Sequence, residues 1–321
     1  MKISITDSGS GVMHEFAKAI GATIRDRFIY IPENKGSGYI TGFSWGNDLR
    51  MMIRNYHLKE DVFIERTNIM VEGQEDVVFF LSGIFPNSLQ SERELATERA
   101  SVMICMHAVS SLMSMPSDTL FESITIAVSR QYLKQLFGNI QHPVIENILR
   151  GKENFMFETA ITQEMIKTGS DILHISVPEN LESQYCKLKC EELLCYVFAL
   201  LMQREALPTS SMHIDDLKAI YAIKLKLQNS LGHPPHIASL AKEAGMSEPK
   251  MRKLFRQTFG KGVFDYFQSL RMQEAAYLLK ERRLTVSEVG YQMGFTNLSH
   301  FSRVFEQHIG MKPKKYSVNE A

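Results

Sequence analysis

The sequence predicts an α+β chain, with an antiparallel, strand-rich N-terminal part followed by helices, and three observations predict it. Short segments rich in Ile, Val, Phe and Tyr recur between turn formers over residues 1–128. After Val128 the apolar residues fall at helical spacing with no strand alternation. In the last third, a helix, a glycine turn and a second helix are spelled out twice.

Taken in order, a first helix is expected over residues 12–21, then strands over 27–31, 39–45, 49–58, 62–66, 77–85, 100–107 and 120–127. Residues 32–36, 46–48 and 86–88 separate them with Pro, Gly, Asn and Asp. Many short strands at this spacing suit a sandwich or barrel. Helices are expected over 129–137, 143–150, 162–175 and 178–205. In the last of these, Leu181, Tyr185, Leu188, Leu193, Val197 and Leu200 read as one apolar face. Leu207-Pro208-Thr209-Ser210-Ser211 breaks the pattern, and Asp215 and Asp216 favour a new helix N-terminus. The expected division is a β-rich domain over 1–128, a helical connecting or dimerisation region over 129–206, a linker over 207–214 and an all-α domain over 215–321.

Length and composition agree with this layout. At 321 residues the chain suits two domains, and 44% hydrophobic with 22% charged residues is a globular balance. No apolar run nears the roughly 20 residues that span a bilayer, and the N-terminus lacks a signal peptide's apolar stretch. Cytoplasmic location without membrane contact is therefore the expectation. Cys105, Cys186, Cys190 and Cys195 make no disulfide framework for a chain of this size. Formal net charge is zero, yet residues 215–321 hold 17 Lys and Arg against 10 Asp and Glu, while residues 1–214 hold 19 against 26. A basic segment joined to an acidic one suggests a polyanion-binding module attached to a part with other work.

The repeated pattern sharpens this. Ile237, Leu240, Ala241 and Ala244 form a buried face, Gly245 a turn at positive φ, and Ser247 an N-cap ahead of Pro249. The following helix presents Lys250, Arg252, Lys253 and Arg256 opposite Met251, Leu254, Phe255 and Phe259. The second copy uses Val286, Val289, Gly290 and Met293, the turn Gly294-Phe295, and Thr296 as the expected cap. Its second helix presents Asn297, Ser299, His300 and Arg303. Side chains on such a stripe suit base edges in a major groove. Lys312, Lys314 and Lys315 form a basic tail suited to phosphate.

Residues from about 215 to 318 resemble the DNA-binding domain of AraC/XylS-type transcription regulators. The resemblance rests on Ile237-Ala238-Ser239-Leu240-Ala241 with Gly245-Met246-Ser247, on Arg271-Met272-Gln273-Glu274-Ala275-Ala276-Tyr277-Leu278-Leu279, on Val286 through Phe295, and on His300-Phe301-Ser302-Arg303-Val304-Phe305 with Pro313 and Tyr316. It implies seven helices, with two recognition helices entering successive major grooves of double-stranded DNA and RNA polymerase as a further partner. Relatives of this kind often act as activators and carry a cupin-like sensor domain with helices that mediate homodimerisation.

A small-molecule effector is therefore expected near residues 38–58, where Tyr39, Trp45, Arg50, Arg54, Tyr56 and His57 gather; this set suits an acidic or metal-chelate ligand. No cofactor or metal is expected, because His57 and His107 lie far apart and no His-x-His occurs. No phosphate loop or nucleophile motif marks an enzyme. Two other readings are an enzyme, such as a DNA-repair protein, fused to a DNA-binding module, and an architectural DNA-binding protein without an effector. The first needs a reactive cysteine, and Cys105 sits in an apolar strand-like segment instead.

Overall fold

The structure, a computed structural model, describes residues 2–6, 12–67, 76–85, 96–97, 99–106, 114–115, 117–151, 154–204, 212–280 and 284–318. The chain divides into two compact units, Met1–Ser211 and Met212–Ala321. Residues 86–88, His107 and residues 207–211 lie outside the described residues.

The first unit is built on one long sheet. In chain order its members are β2 (Thr23–Arg25), β3 (Phe28–Tyr30), β4 (Gly36–Trp45), β5 (Leu49–Leu58), β7 (Asp76–Ser82), β8 (Ala96–Thr97), β9 (Ser101–Met106), β11 (Thr119–Ser129) and β12 (Met156–Thr159). Eight of them run in the order β12-β9-β7-β11-β5-β4-β3-β2, every neighbouring pair antiparallel, while β8 joins β11 in parallel. A second, three-stranded sheet places β6 (Val62–Thr67) between β1 (Lys2–Thr6) and β10 (Ser114–Met115).

Each face of the long sheet carries its own core, as period-two alternation requires. Leu49, Met51 and Ile53 of β5 share a face with Phe79 and Leu81 of β7 and with Ile124, Ile126 and Val128 of β11. Helices α2 (Arg130–Phe137), α3 (Pro143–Arg150), α4 (Gln163–Leu173) and α5 (Glu179–Met202) supply the rest of that core. The opposite face meets α1 (Val12–Ile20), where Phe16, Ala17 and Ile20 pack with Ile40, Tyr56 and Phe121.

Two expectations need correcting. Residues 156–159, read as part of a purely helical stretch, form strand β12 on the edge of the sheet, paired to β9 from Met156–Cys105 to Thr159–Val102. Its run of buried Phe155, Met156 and Phe157 lacks the alternation that marks a half-buried strand. The apolar face of α5 is rotated from the expected one, although its Leu193 and Val197 are buried. Leu181 and Leu188 are more than half exposed, and the buried row is Cys186, Cys190, Leu193, Leu194, Val197, Phe198 and Leu201. Apolar residues occupy most of that helix's circumference, so spacing along the sequence does not choose the row that meets the sheet.

The second unit is all helical: α6 (Ile214–Asn229), α7 (Ile237–Glu243), α8 (Glu248–Phe259), α9 (Val263–Lys280), α10 (Val286–Gln292), α11 (Leu298–Ile309) and α12 (Pro313–Val318). The fold as a whole therefore mixes an antiparallel sheet with a helical C-terminal region. Helix α9 carries the centre of the second unit, burying Phe267, Leu270, Met272, Ala275 and Leu279 between the two repeated helix pairs.

Candidate nucleic-acid interface

The first pair, α7 and α8, is set by local rules. Gly245 takes φ +65°, a left-handed conformation that costs an L side chain about 1–2 kcal/mol. Ser247 then caps α8, its hydroxyl accepting from the Lys250 N–H at 3.4 Å, with Pro249 in the first turn, where its missing N–H is harmless. Gly260 at φ +71° ends the helix. Leu240 and Ala241 of α7 and Met251, Leu254 and Phe255 of α8 are buried. The opposite side of α8 leaves Lys250, Arg252, Lys253 and Arg256 exposed in one stripe.

The second pair repeats the plan with tighter fittings. Thr285 and Glu288 form a reciprocal capping box at the start of α10. Hydrogen bonds from Thr285 hold the Glu288 carboxyl below its usual range. Gly290 replaces the Ala241 of the first pair, and a Cβ there would lie 2.6 Å from the Leu298 side chain and 3.3 Å from Phe301. Gly294 takes φ +76° with the backbone of Gly232 pressed against it, leaving no room for a Cβ. The N-cap of α11 is Asn297, one residue beyond Thr296: its Oδ1 accepts from the N–H groups of Ser299 at 2.9 Å and His300 at 3.0 Å. Asn297 sits at φ −122°, the extended backbone that a cap needs, and its carboxamide reaches two amides at once. Ser299, His300 and Arg303 are exposed on α11, and Lys312, Lys314 and Lys315 are exposed around α12.

Both stripes are thus solvent-facing, and their ion pairs differ. Lys250 reaches Asp216 of α6 at 2.8 Å, and Arg252 pairs loosely with Glu248 at 3.6 Å. Lys253 and Arg303 enter no ion pair among the described residues. An isolated exposed pair contributes about 0–1 kcal/mol, so phosphate can compete for these cations.

One structural role escaped the sequence reading. Arg271 of α9 is only 4% exposed, and its Nε and Nη2 both donate to the Met293 carbonyl, the former at 3.0 Å. Its guanidinium also stacks on Phe295, 4.0 Å from the ring centroid. Burial lowers its pKa to about 10, so it remains charged at neutral pH. It clasps the turn of the second pair to the central helix, and no local signal marks an arginine for such a role.

The six residues singled out in the first unit do not converge. Pairing places Arg50, Arg54 and Tyr56 on the face toward α1, whereas Tyr39, Trp45 and His57 belong to the opposite face. Arg50 bonds to Asp76, Tyr56 is fully buried against Phe16 and Phe121, and the Trp45 indole donates to Ser183 of α5. His57 Nδ1 lies 2.9 Å from the Ser37 hydroxyl. Cys105, Cys186 and Cys190 are buried while Cys195 is exposed, and burial pushes the Cys105 thiol up to about 12. Such a thiol is not a nucleophile near neutral pH. Among the described residues no group of three or more His, Cys, Asp or Glu is placed to hold a metal ion. Nor is any helix long and apolar enough to cross a membrane.

Comparison with known proteins agrees with this geometry. Residues 240–318 match the model of a helix-turn-helix domain. The HTH-type transcriptional activator RhaR of Yersinia pseudotuberculosis is 22% identical over 200 residues, covering 62% of this chain and 67% of that protein. The HTH-type transcriptional regulator GlxA of Rhizobium meliloti is 30% identical over 95 residues, covering 30% of this chain and 29% of its own. The crystal structure of ToxT from Vibrio cholerae O395 aligns over 87% of this chain and 95% of its own, with 16% identity and a TM-score of 0.33. RhaR and GlxA are both named as transcriptional regulators of the helix-turn-helix type. Residues 240–318 are thus a helix-turn-helix domain, similar to those of RhaR and GlxA.

Proposed function

We propose that the protein reads specific DNA sequences with α8 and α11 and regulates transcription under the control of a small-molecule effector held by the first unit. The observation that carries this reading is the pair of exposed polar stripes, Lys250, Arg252, Lys253 and Arg256 on one helix and Asn297, Ser299, His300 and Arg303 on the other. Each is fixed by its own glycine turn. Arg and Lys donate to guanine, and Ser and His serve several bases. The cap leaves the Asn297 amide nitrogen as its donor toward the groove. Lys312, Lys314 and Lys315 meet phosphate.

On this reading the first unit is a cupin-like sensor. Tyr39, Trp45, Arg50, Arg54, Tyr56 and His57 are then divided between the two faces of its long sheet. Homodimers form through the exposed side of α5, where Leu181, Leu188, Cys195 and Met202 recur every seven residues and remain exposed. The protein acts in the cytoplasm, as an activator in contact with RNA polymerase.

The test is selection of fragmented genomic DNA by the full-length protein, beside an Arg252→Ala/Arg303→Ala variant. Enrichment of a few sites with half-sites spaced by about 10 base pairs, lost in the variant, is expected. Uniform weak retention by both proteins would overturn the assignment of α8 and α11 as readers.

A further inference from the structure

We infer that Glu248, at the start of α8, is a specificity-determining residue that accepts a hydrogen bond from the N4 amino group of a cytosine in the major groove. The inference rests on the reading of α8 as a DNA reader above and names a base for its one carboxylate.

Glu248 is the acidic residue of α8, placed in its first turn directly after the Ser247 cap. Arg252 lies four residues on, so the two share one side of the helix. Their side chains are 43% and 57% exposed, and the 3.6 Å between them is long for a charged hydrogen bond. The carboxylate therefore stands within the exposed basic stripe and is only loosely held there.

The second helix-turn-helix pair shows what a glutamate does when its role is structural. Glu288 is the third residue of α10 and closes the capping box by accepting from the Thr285 N–H at 2.8 Å. Glu248 is the first residue of α8, a position from which that reciprocal bond does not form. Its charge suits the positive end of the helix dipole, as any acid in the first turn would.

The groove narrows the partner. A carboxylate among phosphates is repelled on every sequence unless a base offers it a donor. The major-groove donors are the amino groups of cytosine and adenine. Adenine sets its N7 acceptor beside that donor, and guanine and thymine present acceptors without one, so cytosine suits Glu248 best. Residues four apart are separated by about 6 Å along a helix axis, and stacked base pairs by about 3.4 Å. The cytosine thus falls within about two base pairs of the guanine that Arg252 reads. On binding, Arg252 and Glu248 exchange their mutual pair for a guanine and a cytosine.

The experiment is selection from a randomised duplex library by the full-length protein, with Glu248→Gln, Glu248→Ala and Arg252→Ala beside the wild type. Titrations of each base pair at the selected positions follow. The wild type should select a cytosine close to the guanine whose preference disappears in Arg252→Ala. Replacing that cytosine should weaken wild-type binding by about 5- to 150-fold. Glu248→Ala should bind all four bases there alike, and Glu248→Gln should shift the preference to adenine, which a carboxamide matches. Three results would overturn the role. In the first, both Glu248 variants keep the wild-type preference at every position. In the second, they bind every sequence more tightly by one common factor, so the carboxylate merely repels phosphate. In the third, Glu248→Ala also loses the guanine, so the carboxylate only orients Arg252. All three leave α8 standing as a DNA reader, whereas a wild type that selects no sequence would overturn that reading as well.

Discussion

The two helix-turn-helix pairs share one plan and differ in how it is held. The first, α7 and α8, is assembled almost wholly from local devices: a glycine turn in open space, a serine cap and a left-handed glycine at the end. The second, α10 and α11, is wedged into its surroundings, with Gly294 against Gly232, Gly290 under Leu298, and Arg271 clasping the Met293 carbonyl. Their exposed stripes differ as well, since α8 presents four cations and α11 one cation among hydrogen-bonding groups. The first pair is thus suited to electrostatic grip, the second to discrimination by hydrogen bonds.

Substitution of the turn glycines separates the two most strongly. Gly294→Ala combines left-handed strain of about 1–2 kcal/mol with overpacking of about 1–3 kcal/mol, because the new Cβ overlaps the Gly232 backbone. Gly245→Ala meets nothing within 4 Å and should cost the strain alone. Urea unfolding of the full chain measures both; equal losses would show that the second pair is not wedged as described.

Arg271→Met removes charged hydrogen bonds from a buried carbonyl and should destabilise the protein by about 1.5–3 kcal/mol. If the clasp belongs to the second pair, contacts made by α11 should weaken more than those of α8 in a footprint on selected DNA. A uniform loss across the footprint would assign Arg271 to the core alone.

Among surface changes, Arg252→Ala should cost about 1–3 kcal/mol at one base position, whereas Lys314→Ala should lower the salt slope by about one unit on every sequence. Binding titrations over a salt series distinguish them, and identical behaviour on all sequences would remove Arg252 from base reading. The smallest effect is expected from Asp216→Asn. Releasing Lys250 from its 2.8 Å partner should tighten binding to all DNA by no more than about 1 kcal/mol. Weaker binding would mean that the pair positions Lys250 instead of restraining it.

Much of the second unit was legible because its determinants are close together in sequence. Ser247 three residues before Lys250, or a glycine after four helical positions, announces geometry by chain proximity alone. The cap of α11 was misread by one residue because Thr296 and Asn297 are both good capping residues, and only the observed backbone chooses between them. The first unit was legible in outline, with residues 49–58 forming β5 as expected, while short β12 was missed.

By itself the sequence determined the turns, the caps, the basic stripes and the alternation of the strands, since each depends on neighbours within a few bonds or one helical turn. Tertiary structure decided the rest. It chose which row of α5 is buried, seated Arg271 on a carbonyl 22 residues away, and sent Arg54 and His57 to opposite faces of one sheet. The physical reason is that alternation tells which residues share a face, whereas strand order and helix packing determine what that face meets. Those depend on contacts between segments far apart in the chain, where one strand's pairing settles the surroundings of every residue it carries.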